Sequence, residues 1–259
     1  RGGSDLSAIA VAASLDADVC QILTDVDGVY TCDPRIVLNA RKLPEISYDE
    51  MLEMASSGTK VMQSRSVEFA KKYGVVFEVC SSLNDNPGTL VTEEHPAMEA
   101  VVIRGVSIER SQARVTITDI PDTPGQSGKI LGCLADAEIN VDMIVSNISS
   151  DGMARHSFTM HTNDLGRAQA ALKPVLSELS SDANIESEAA LAKLSTVGIG
   201  MRSHAGVASK MFEALANEGV NIEMISTSEI KVSVVIAEKY LELAVRALHS
   251  EFELDQPGS

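Results

Sequence analysis

The sequence contains no tryptophan, and aromatic residues make up only 3% of its 259 positions. The hydrophobic core must therefore be mainly aliphatic, because 44% of the residues are apolar and very few of those carry rings. Basic residues are also scarce, since 21 Lys and Arg stand against 37 Asp and Glu and give a net charge of −16. A chain this acidic repels phosphate backbones and anionic lipids, which excludes general nucleic-acid and membrane-surface binding.

Long apolar runs are missing as well, because no stretch approaches the roughly 18 residues that a membrane-spanning helix needs. The opening residues Arg1–Asp5 lack a basic-then-apolar pattern, so we expect no secretory signal here. The four cysteines, Cys20, Cys32, Cys80 and Cys133, are scattered without paired spacing. We therefore expect reduced thiols, a cytoplasmic location and no metal centre.

The first 93 residues predict alternating helices and strands. We expect a helix Ser7–Leu15 capped by Ser4 or Asp5, a strand Val19–Leu23, a helix that starts at the capping box Ser47/Glu50 and ends at Gly58, a helix Val67–Tyr73 that stops at Gly74, and a strand Val75–Val79. Residues 81–96 predict a loop, an edge strand and a linker. This alternation favours a mostly parallel α/β sheet.

The second half of the sequence repeats itself with a shift of 81 residues. Seven of twenty positions are identical between residues 125–144 and 206–225, where roughly one is expected by chance. The identical pairs are Gly125/Gly206, Lys129/Lys210, Leu134/Leu215, Ala135/Ala216, Asn140/Asn221, Met143/Met224 and Ile144/Ile225. We interpret this as one small domain that occurs twice.

Each copy predicts the element order βαββα, which is one strand short of a ferredoxin-like unit. In the first copy we expect strands 114–120, 141–148 and 155–160 with helices up to residue 137 and over 165–179. In the second we expect strands 194–199, 222–226 and 231–236 with helices 207–217 and 241–252. Residues 184–188 and 101–106 are the candidates for the two closing strands.

Two polar segments in the first 93 residues are candidate binding sites. Arg1-Gly2-Gly3-Ser4-Asp5 opens a helix, where free N–H groups, the helix dipole and a guanidinium suit a phosphate or carboxylate. A plain loop with a capping serine explains that segment equally well. Thr24-Asp25-Val26-Asp27-Gly28 follows a predicted strand, at the end where α/β folds place ligands, although an ordinary turn has the same pattern.

Several stretches taken together resemble the aspartokinase family. They are Arg1-Gly-Gly-Ser-Asp5, Thr24-Asp-Val-Asp-Gly-Val-Tyr-Thr-Cys-Asp-Pro-Arg35, Lys42-Leu-Pro-Glu-Ile-Ser-Tyr48, Gly58-Thr-Lys-Val61 and Asn221-Ile-Glu-Met-Ile-Ser-Thr-Ser-Glu-Ile230. The likeness covers essentially the whole chain. It implies the C-terminal portion of an amino-acid-kinase domain with a parallel sheet, followed by two ferredoxin-like (βαββαβ) ACT domains.

The resemblance implies sites for L-aspartate and for ATP with Mg²⁺ on its phosphates. The residues implied for aspartate are Arg1, Gly2, Gly3 and Ser4, and those implied for ATP are Thr24, Asp25, Tyr30, Arg35 and Lys60. Phosphoryl transfer depends on positioning and charge neutralisation. Arg35 and Lys60 would neutralise phosphate charge, and Asp25 would orient a lysine or the ribose.

In the duplicated half, the resemblance implies lysine and threonine feedback sites shared between the ACT domains of two chains. The implied residues are Asp122, Gly125, Ser127, Asn140, Val141, Asp142, Ser146, Val207, Ala208, Asn221, Ile222 and Ser228. Helix N-termini suit an α-carboxylate, and Asp122 or Asp142 suits an α-ammonium. The alternative, repeated structural turns, explains the glycines but not the repeated Asn followed by an acid. Relatives often carry Gln at Ser146 and Pro at Ala205, so the identity of the effector is left open.

The expected organisation is a kinase portion (1–93), a linker (94–100), a first ACT domain (101–190) and a second ACT domain (191–259). An intact aspartokinase makes 4-phospho-L-aspartate and ADP, the first step towards lysine, threonine and methionine. The family's N-terminal Lys-Phe-Gly-Gly-Thr-Ser motif has no counterpart in this sequence, so we expect the chain alone to be inactive. The alternative is a non-catalytic amino-acid-binding subunit that assembles with a full-length kinase.

Overall fold

The computed structural model describes residues 3–56, 62–149 and 152–256. The chain divides into two compact units: residues 1–109, 193–236 and 240–259 form one, and residues 110–192 and 237–239 form the other. The unit that begins at residue 1 thus contains the second copy of the repeat, and the other unit contains the first copy. Spatial neighbours in this protein therefore do not follow the order of the sequence.

The N-terminal portion is a mixed sheet covered by helices. Its elements are α1 (Gly3–Leu15), β1 (Cys20–Thr24), β2 (Glu45–Ser47), α2 (Tyr48–Ser56), α3 (Ser64–Tyr73), β3 (Phe77–Ser81), β4 (Thr89–Thr92) and α4 (Pro96–Glu99). The strand order is β1–β3–β4–β2. β1 runs parallel to β3 and β2 parallel to β4, whereas β3 and β4 are antiparallel. The expected α/β sheet is confirmed, with one antiparallel pair inside it.

Local helix signals in this portion were read correctly at two positions. Glu50 N–H donates to Ser47 Oγ at 3.2 Å, and Ser47 N–H donates to Glu50 Oε2 at 3.1 Å, so the capping box forms. Gly74 ends α3 with φ 65°, a left-handed conformation that glycine adopts without a steric penalty. The predicted stop at Gly58 lies outside the described residues.

Other expectations for this portion were wrong. α1 begins at Gly3, so Ser4 and Asp5 lie in its first turn instead of capping it. The strand expected at an edge is β4, which pairs on both sides and keeps Thr89 and Val91 fully buried. β2 was missed because it is only three residues long, too short for an alternating pattern to be recognised.

The core of the N-terminal portion is aliphatic, as the composition predicts. Ile9, Leu43, Ile46 and Val67 are fully buried in one cluster. Phe77 is one of the few rings in this core, and it is also fully buried. This packing holds α1 and β1 together and thereby fixes the edge of the sheet where the loops lie.

The duplicated half contains two α+β domains built on shared long strands. Its elements are β5 (Gly105–Pro121), α5 (Gln126–Asp136), β6 (Ile144–Ile148), β7 (Met153–His161), α6 (Leu165–Leu179), β8 (Asn184–Val197), α7 (Val207–Asn217), β9 (Met224–Thr227), β10 (Lys231–Ala237) and α8 (Leu241–Glu251). The strand order is β6–β7–β5–β8 in the first copy and β5–β8–β10–β9 in the second. Each copy therefore has the four-stranded sheet and two helices of a ferredoxin-like unit.

The closing strands are found near their predicted positions. Residues 184–188 form the start of β8, as expected, and the first copy uses them as its closing strand. The second copy is closed by the start of β5, which contains only Gly105 and Val106 of the predicted 101–106. β6 begins at Ile144 and β9 at Met224, so Asn140–Asp142 and Asn221–Ile222 precede the strands that they were expected to open.

All four cysteines are unpaired. Within the described ranges, no helix is both long and apolar enough to cross a bilayer.

Candidate functional site

The first candidate site lies at the carboxyl end of β1. Ser82 N–H donates to Thr24 O at 2.7 Å, and Asn84 Nδ2 donates to Asp27 Oδ1 at 2.9 Å. These bonds join the loop after β1 to the loop after β3, because the two parallel strands end side by side at Thr24 and Ser81. Ligands in α/β folds bind at this edge.

The N-terminus of α1 belongs to the same edge. α1 packs against β1 and is joined to it by residues 16–19 alone, so the helix and the strand run in opposite directions. The helix is about 20 Å long and the strand about 16 Å, so the start of α1 lies beside the end of β1. Gly3 and Ser4 are exposed there. Arg1 and Gly2, which the family resemblance places beside them, lie outside the described residues.

Buried polar contacts hold the loop after β1 in shape. Thr89 Oγ1 accepts the Val29 N–H at 2.8 Å and donates to Leu43 O at 2.6 Å. Gly28 has φ +144°, and a Cβ built there would lie 2.5 Å from Thr89 Oγ1. Lys42 Nζ donates to the carbonyl of Pro87, which ties the loop after β3 to the same place. A glycine is required at position 28, because other residues rarely adopt its positive φ and because Thr89 Oγ1 leaves no room for a Cβ.

The residues expected to bind ATP are only partly brought together. Thr24 Oγ1 donates to Asp25 Oδ1 at 3.1 Å at the end of β1. Tyr30 lies close by and is half-buried, and burial together with Asp27 raises the pKa of its phenol. The Arg35 side chain is 86% exposed, and its guanidinium donates to both oxygens of Asp33 at 3.0 and 2.8 Å. That ion pair raises the pKa of Arg35.

Lys60 lies outside the described residues. Several other residues that shape this site were not predicted from the sequence. Thr89, Lys42 and Asn84 hold its loops, yet none was proposed as a site residue, and Lys42 was noted only as the start of a stretch that carries the family resemblance. Asn84 lies in the sequence Asn84-Asp85-Asn86, which was read only as a loop. Polar residues directly after the neighbouring parallel strand were the available signal.

The second candidate site lies in the first ACT-like copy, where the expected residues fall at opposite ends of the sheet. Asp122 N–H donates to Gly152 O and Asp142 N–H donates to Thr159 O, both at 3.0 Å. Gly152 directly precedes β7 and Thr159 lies within it, seven positions later, which corresponds to about 23 Å of extended chain. Gly125 and Ser127 lie at the Asp122 end, whereas Asn140 and Val141 lie at the Asp142 end. An amino acid is too short to contact both ends within one chain.

The second copy repeats this arrangement. Ser228 N–H donates to Lys231 O and Glu223 N–H donates to Val235 O, both at 2.8 Å. Lys231 and Val235 are four residues apart in β10, so the two contacts are about 13 Å apart. Asn221 lies at the Glu223 end and donates to its carboxylate at 3.2 Å. Ile222 lies between these two residues in the chain.

Equivalent helix starts confirm that the two copies are related. Gly125 precedes α5 with φ 95°, and Gly206 precedes α7 with φ 93°. Neither glycine provides a side-chain cap, so the first N–H groups of each helix have no capping side chain. Val207 and Ala208 begin α7, and Ser146 is exposed on β6 opposite His156.

Comparison with known protein families divides the chain into three parts. Residues 1–81 match the amino acid kinase family, and residues 114–178 and 194–252 each match the ACT domain. These ranges coincide with the N-terminal sheet and with the two copies of the repeat. The duplication seen in the sequence is therefore a pair of ACT domains.

An aspartate kinase of Stutzerimonas stutzeri is 56% identical over all of this chain, which spans 63% of that relative's length. The Clostridium acetobutylicum aspartate kinase structure superposes with a TM-score of 0.89 at 28% identity, over 97% of this chain and 58% of that one. E. coli aspartokinase III, in complex with aspartate and ADP, superposes with a TM-score of 0.78 at 30% identity over 97% of this chain and 56% of that one.

A second structure of E. coli aspartokinase III contains lysine and aspartate, and it superposes with a TM-score of 0.76 at 30% identity over the same shares of the two chains. The regulatory subunit of aspartate kinase from Thermus thermophilus is 38% identical, with a TM-score of 0.55, over 58% of this chain and 99% of its own. This chain therefore belongs to the aspartokinase family and corresponds to its C-terminal portion, in which the end of an amino acid kinase domain is followed by two ACT domains.

Proposed function

We propose that the protein to which this chain belongs is a feedback-regulated aspartate kinase, which transfers the γ-phosphoryl group of ATP to L-aspartate and forms ADP and 4-phospho-L-aspartate. The observation that carries this proposal is the meeting of the α1 N-terminus with the loops after β1 and β3 at one edge of the sheet. The crystallised relative with bound aspartate and ADP supports it. The reaction is the first step towards lysine, threonine and methionine, in the cytoplasm.

In this proposal the chain's own residues position two negatively charged substrates. The first N–H groups of α1, with Gly3, Ser4 and the preceding Arg1 and Gly2, hold aspartate through the positive end of the helix dipole. Phosphoryl transfer gains most from such positioning and from charge neutralisation.

ATP, with Mg²⁺ on its phosphates, would lie along the loop from Thr24 to Arg35. Arg35 reaches solvent and exchanges Asp33 for phosphate oxygens, while Lys60 supplies a second cation. Asp25 and Tyr30 border the adenosine end. The acidic side chains Asp25, Asp27 and Asp33 keep the free site negative, so Mg²⁺ and the two cations are needed to admit a triphosphate.

Feedback regulation by lysine, threonine or both is the second part of the proposal. The expected effector residues lie at opposite ends of each ACT sheet, so one ligand reaches both kinds of residue only where two ACT domains of different chains adjoin. β6 and β9 are outer strands of their sheets, with Ile144, Ile148 and Ile225 exposed. We therefore propose a homodimer or hetero-oligomer assembled through the ACT domains. The proposed division remains 1–93, 94–100, 101–190 and 191–259.

A non-catalytic regulatory subunit is the second candidate. The match to the Thermus regulatory subunit favours it, because nearly the whole of that chain is covered. The first 81 residues, which match the amino acid kinase family, favour the kinase. The reading frame upstream of Arg1 distinguishes the two: a continuous frame encoding a Gly-Gly-Thr-Ser motif supports the kinase, and a nearby start codon supports the subunit.

The test compares the product of the complete reading frame with the chain alone. In a coupled assay for ADP, the complete product turns over ATP only when aspartate is present, and the chain alone shows no aspartate-dependent turnover. Isothermal titration of the chain with lysine, threonine and both together gives binding heat in the millimolar range or below. Turnover by the chain alone contradicts the proposed dependence on the N-terminal lobe, and a lack of heat from a monomeric chain contradicts the regulatory part.

A further inference from the structure

Helix α2 presents two carboxylates to the second ACT domain. Glu50 and Glu53 are three residues apart in the helix, so they lie on one face of it. Ile199 N–H donates to Glu50 Oε1 at 3.1 Å, and Lys231 Nζ donates to Glu53 Oε2 at 2.6 Å. Two separate segments of the ACT domain are thus held by one face of a helix from the kinase portion.

The Glu50 contact is fully buried. The carboxylate is 0% exposed, and its Oε2 accepts the Ser47 hydroxyl at 3.0 Å as well as the Ser47 N–H. Arg104 Nε lies 3.6 Å from Oε1, and that side chain is only 8% exposed. A buried charge is tolerated only while its partners stay in place, so this carboxylate fixes the position of Ile199 relative to α2.

The two ACT segments that α2 holds are also the segments with proposed effector residues. The Lys231 carbonyl accepts the N–H of Ser228 at 2.8 Å, and the ammonium of the same residue binds α2. Gly198 N–H donates to Ile230 O at 2.9 Å, which links the two segments to each other. The chain after Gly198 then leads through a 3₁₀ turn to Val207 at the start of α7.

These segments lie too close to the backbone of residues 101–102, just before β5, to slide past it. A Cβ built on Gly198 would lie 2.3 Å from Val102 O, and one built on Gly200 would lie 2.4 Å from Val101 O. Backbone packs directly on backbone at both positions. A movement of the ACT segments must therefore move the residues that they contact.

On its other side, the same network reaches the proposed ATP residues. Val106, two residues after Arg104, donates its N–H to Thr31 O at 2.7 Å. Thr31 directly follows Tyr30, which borders the proposed adenosine site.

We propose that helix α2 couples the effector segments of the second ACT domain to the ATP-binding residues, with Glu50 and Glu53 as the positioning residues. An effector that favours one arrangement of residues 198–207 or 228–231 shifts the balance between two positions of α2, and with it the affinity for ATP. The inference rests on the proposed function, because it needs both an ATP site and an effector site.

The test uses the complete enzyme with Glu53→Gln, Lys231→Met and the charge-reversed pair Glu53→Lys with Lys231→Glu. The matched control is Asp49→Asn, because Asp49 lies on the same helix and forms an ion pair of equal length, 2.6 Å, with Lys71 of α3 instead of an ACT residue. Glu53 and Lys231 are 26% and 23% exposed, so these variants are expected to fold. The measurements are activity without and with saturating lysine and threonine, and the effector Kd by calorimetry.

We expect Glu53→Gln and Lys231→Met to reduce the ratio of uninhibited to inhibited activity by about fivefold or more, and the charge-reversed pair to restore it. The effector still binds, and the uninhibited kcat and KM match those of Asp49→Asn. Full inhibition in both single variants overturns the inference, as does an equal loss of uninhibited activity, which indicates a purely structural role. No inhibition of the unsubstituted enzyme contradicts the proposed regulation itself, and this inference with it.

Discussion

At the residue scale, the pair Thr31 and His249 illustrates how burial sets a protonation state. Thr31 Oγ1 accepts the N–H of Arg41 at 3.0 Å and shares a hydrogen bond of 3.1 Å with His249 Nε2. Both side chains are almost completely buried, at 0% and 1% exposure. Burial lowers the pKa of His249 and nearby Arg41 lowers it further, while Asp255 opposes the shift. Burial therefore favours the neutral imidazole, which keeps one hydrogen bond to Thr31.

This pair predicts that stability decreases in mild acid. Because the folded pKa of His249 is depressed, its contribution is complete above the unfolded value of about 6.5 and is lost as the pH falls through that value towards the folded pKa. We expect His249→Gln to remove part of the fall in Tm between pH 7.5 and 5.5, about 2–4 °C. Thermal unfolding by circular dichroism measures it.

His156 is the control for that measurement, because burial also lowers its pKa in the other unit. His156→Gln should leave unchanged the part of the fall in Tm between pH 7.5 and 5.5 that His249 causes. An identical pH dependence of Tm in the wild-type protein and His249→Gln would contradict the assignment.

Sequence reasoning reached only part of this residue-level detail. The Ser47/Glu50 capping box was predicted, because its two members are neighbours in the chain. The contact of Glu50 with Ile199 was not, because the two residues are 149 positions apart and no local pattern connects them. Thr89 was not predicted for the same reason, since its hydroxyl forms hydrogen bonds with the backbone of Leu43 and Val29, which are 46 and 60 positions away.

At the element scale, α6 contains its own destabilising residue. This helix of 15 residues has Pro174 in its interior, on an exposed face. Proline has no N–H to donate to the carbonyl four residues earlier, and its ring crowds that carbonyl. Tertiary packing through Ala168, Leu172 and Leu176, all buried, holds the helix despite this defect.

Pro174→Ala should therefore stabilise the protein by about 1–3 kcal/mol, because alanine restores the hydrogen bond and has the highest helix propensity. Urea unfolding followed by circular dichroism measures the change. Lys173→Ala is the matched control, since the neighbouring exposed position already has its backbone hydrogen bond and should change stability by less than about 0.5 kcal/mol. A destabilised Pro174→Ala variant would show that the proline is needed for the packing of α6.

The bounds of helices with a strong hydrophobic periodicity were predicted well, whereas the bounds of short strands were not. α6 and α7 begin and end at the predicted residues, because an apolar stripe and a preceding glycine or a polar turn define them. β2 and β4 were missed or misplaced, since a strand of three or four residues offers too few positions for an alternating pattern. The starts of β6 and β9 were placed too early because Val141 and Ile222 are apolar yet precede their strands.

At the scale of the whole molecule, the exposed apolar side chains of β6 and β9 predict self-association. Ile148 and Ile225 are 62% and 45% exposed on outer strands. We expect the double variant Ile148→Lys with Ile225→Lys to weaken the dimer at least tenfold, because each lysine places a charge against an apolar strand edge. Sedimentation velocity over a range of concentrations gives the dissociation constant.

Leu38→Lys is the control for this prediction, because Leu38 is 94% exposed but lies in the loop of the kinase portion. It should leave the dissociation constant unchanged. Equal weakening by Leu38→Lys would indicate a general effect of charge, and an unaffected double variant would exclude these strands from the interface.

The global organisation was partly predictable. The repeat and its shift of 81 residues predicted one small domain that occurs twice, because duplicated turns and core positions keep the same spacing, and the family resemblance then implied that both copies are ACT domains. The assignment of the second copy and the N-terminal portion to one compact unit was not predictable. That assignment depends on long-range contacts, such as Lys231 with Glu53, which composition and periodicity do not record.

The two long strands have a consequence for how far this protein can be divided. β5 and β8 each pass from one copy of the repeat into the other, so the strand that completes each copy is continuous with the first strand of its neighbour. A fragment cut between the copies would leave an unpaired strand edge on both products, a common cause of aggregation. A fragment made for domain transfer or biosensor design should therefore keep β5 and β8 each whole, because a cut inside either strand removes residues that one of the copies needs.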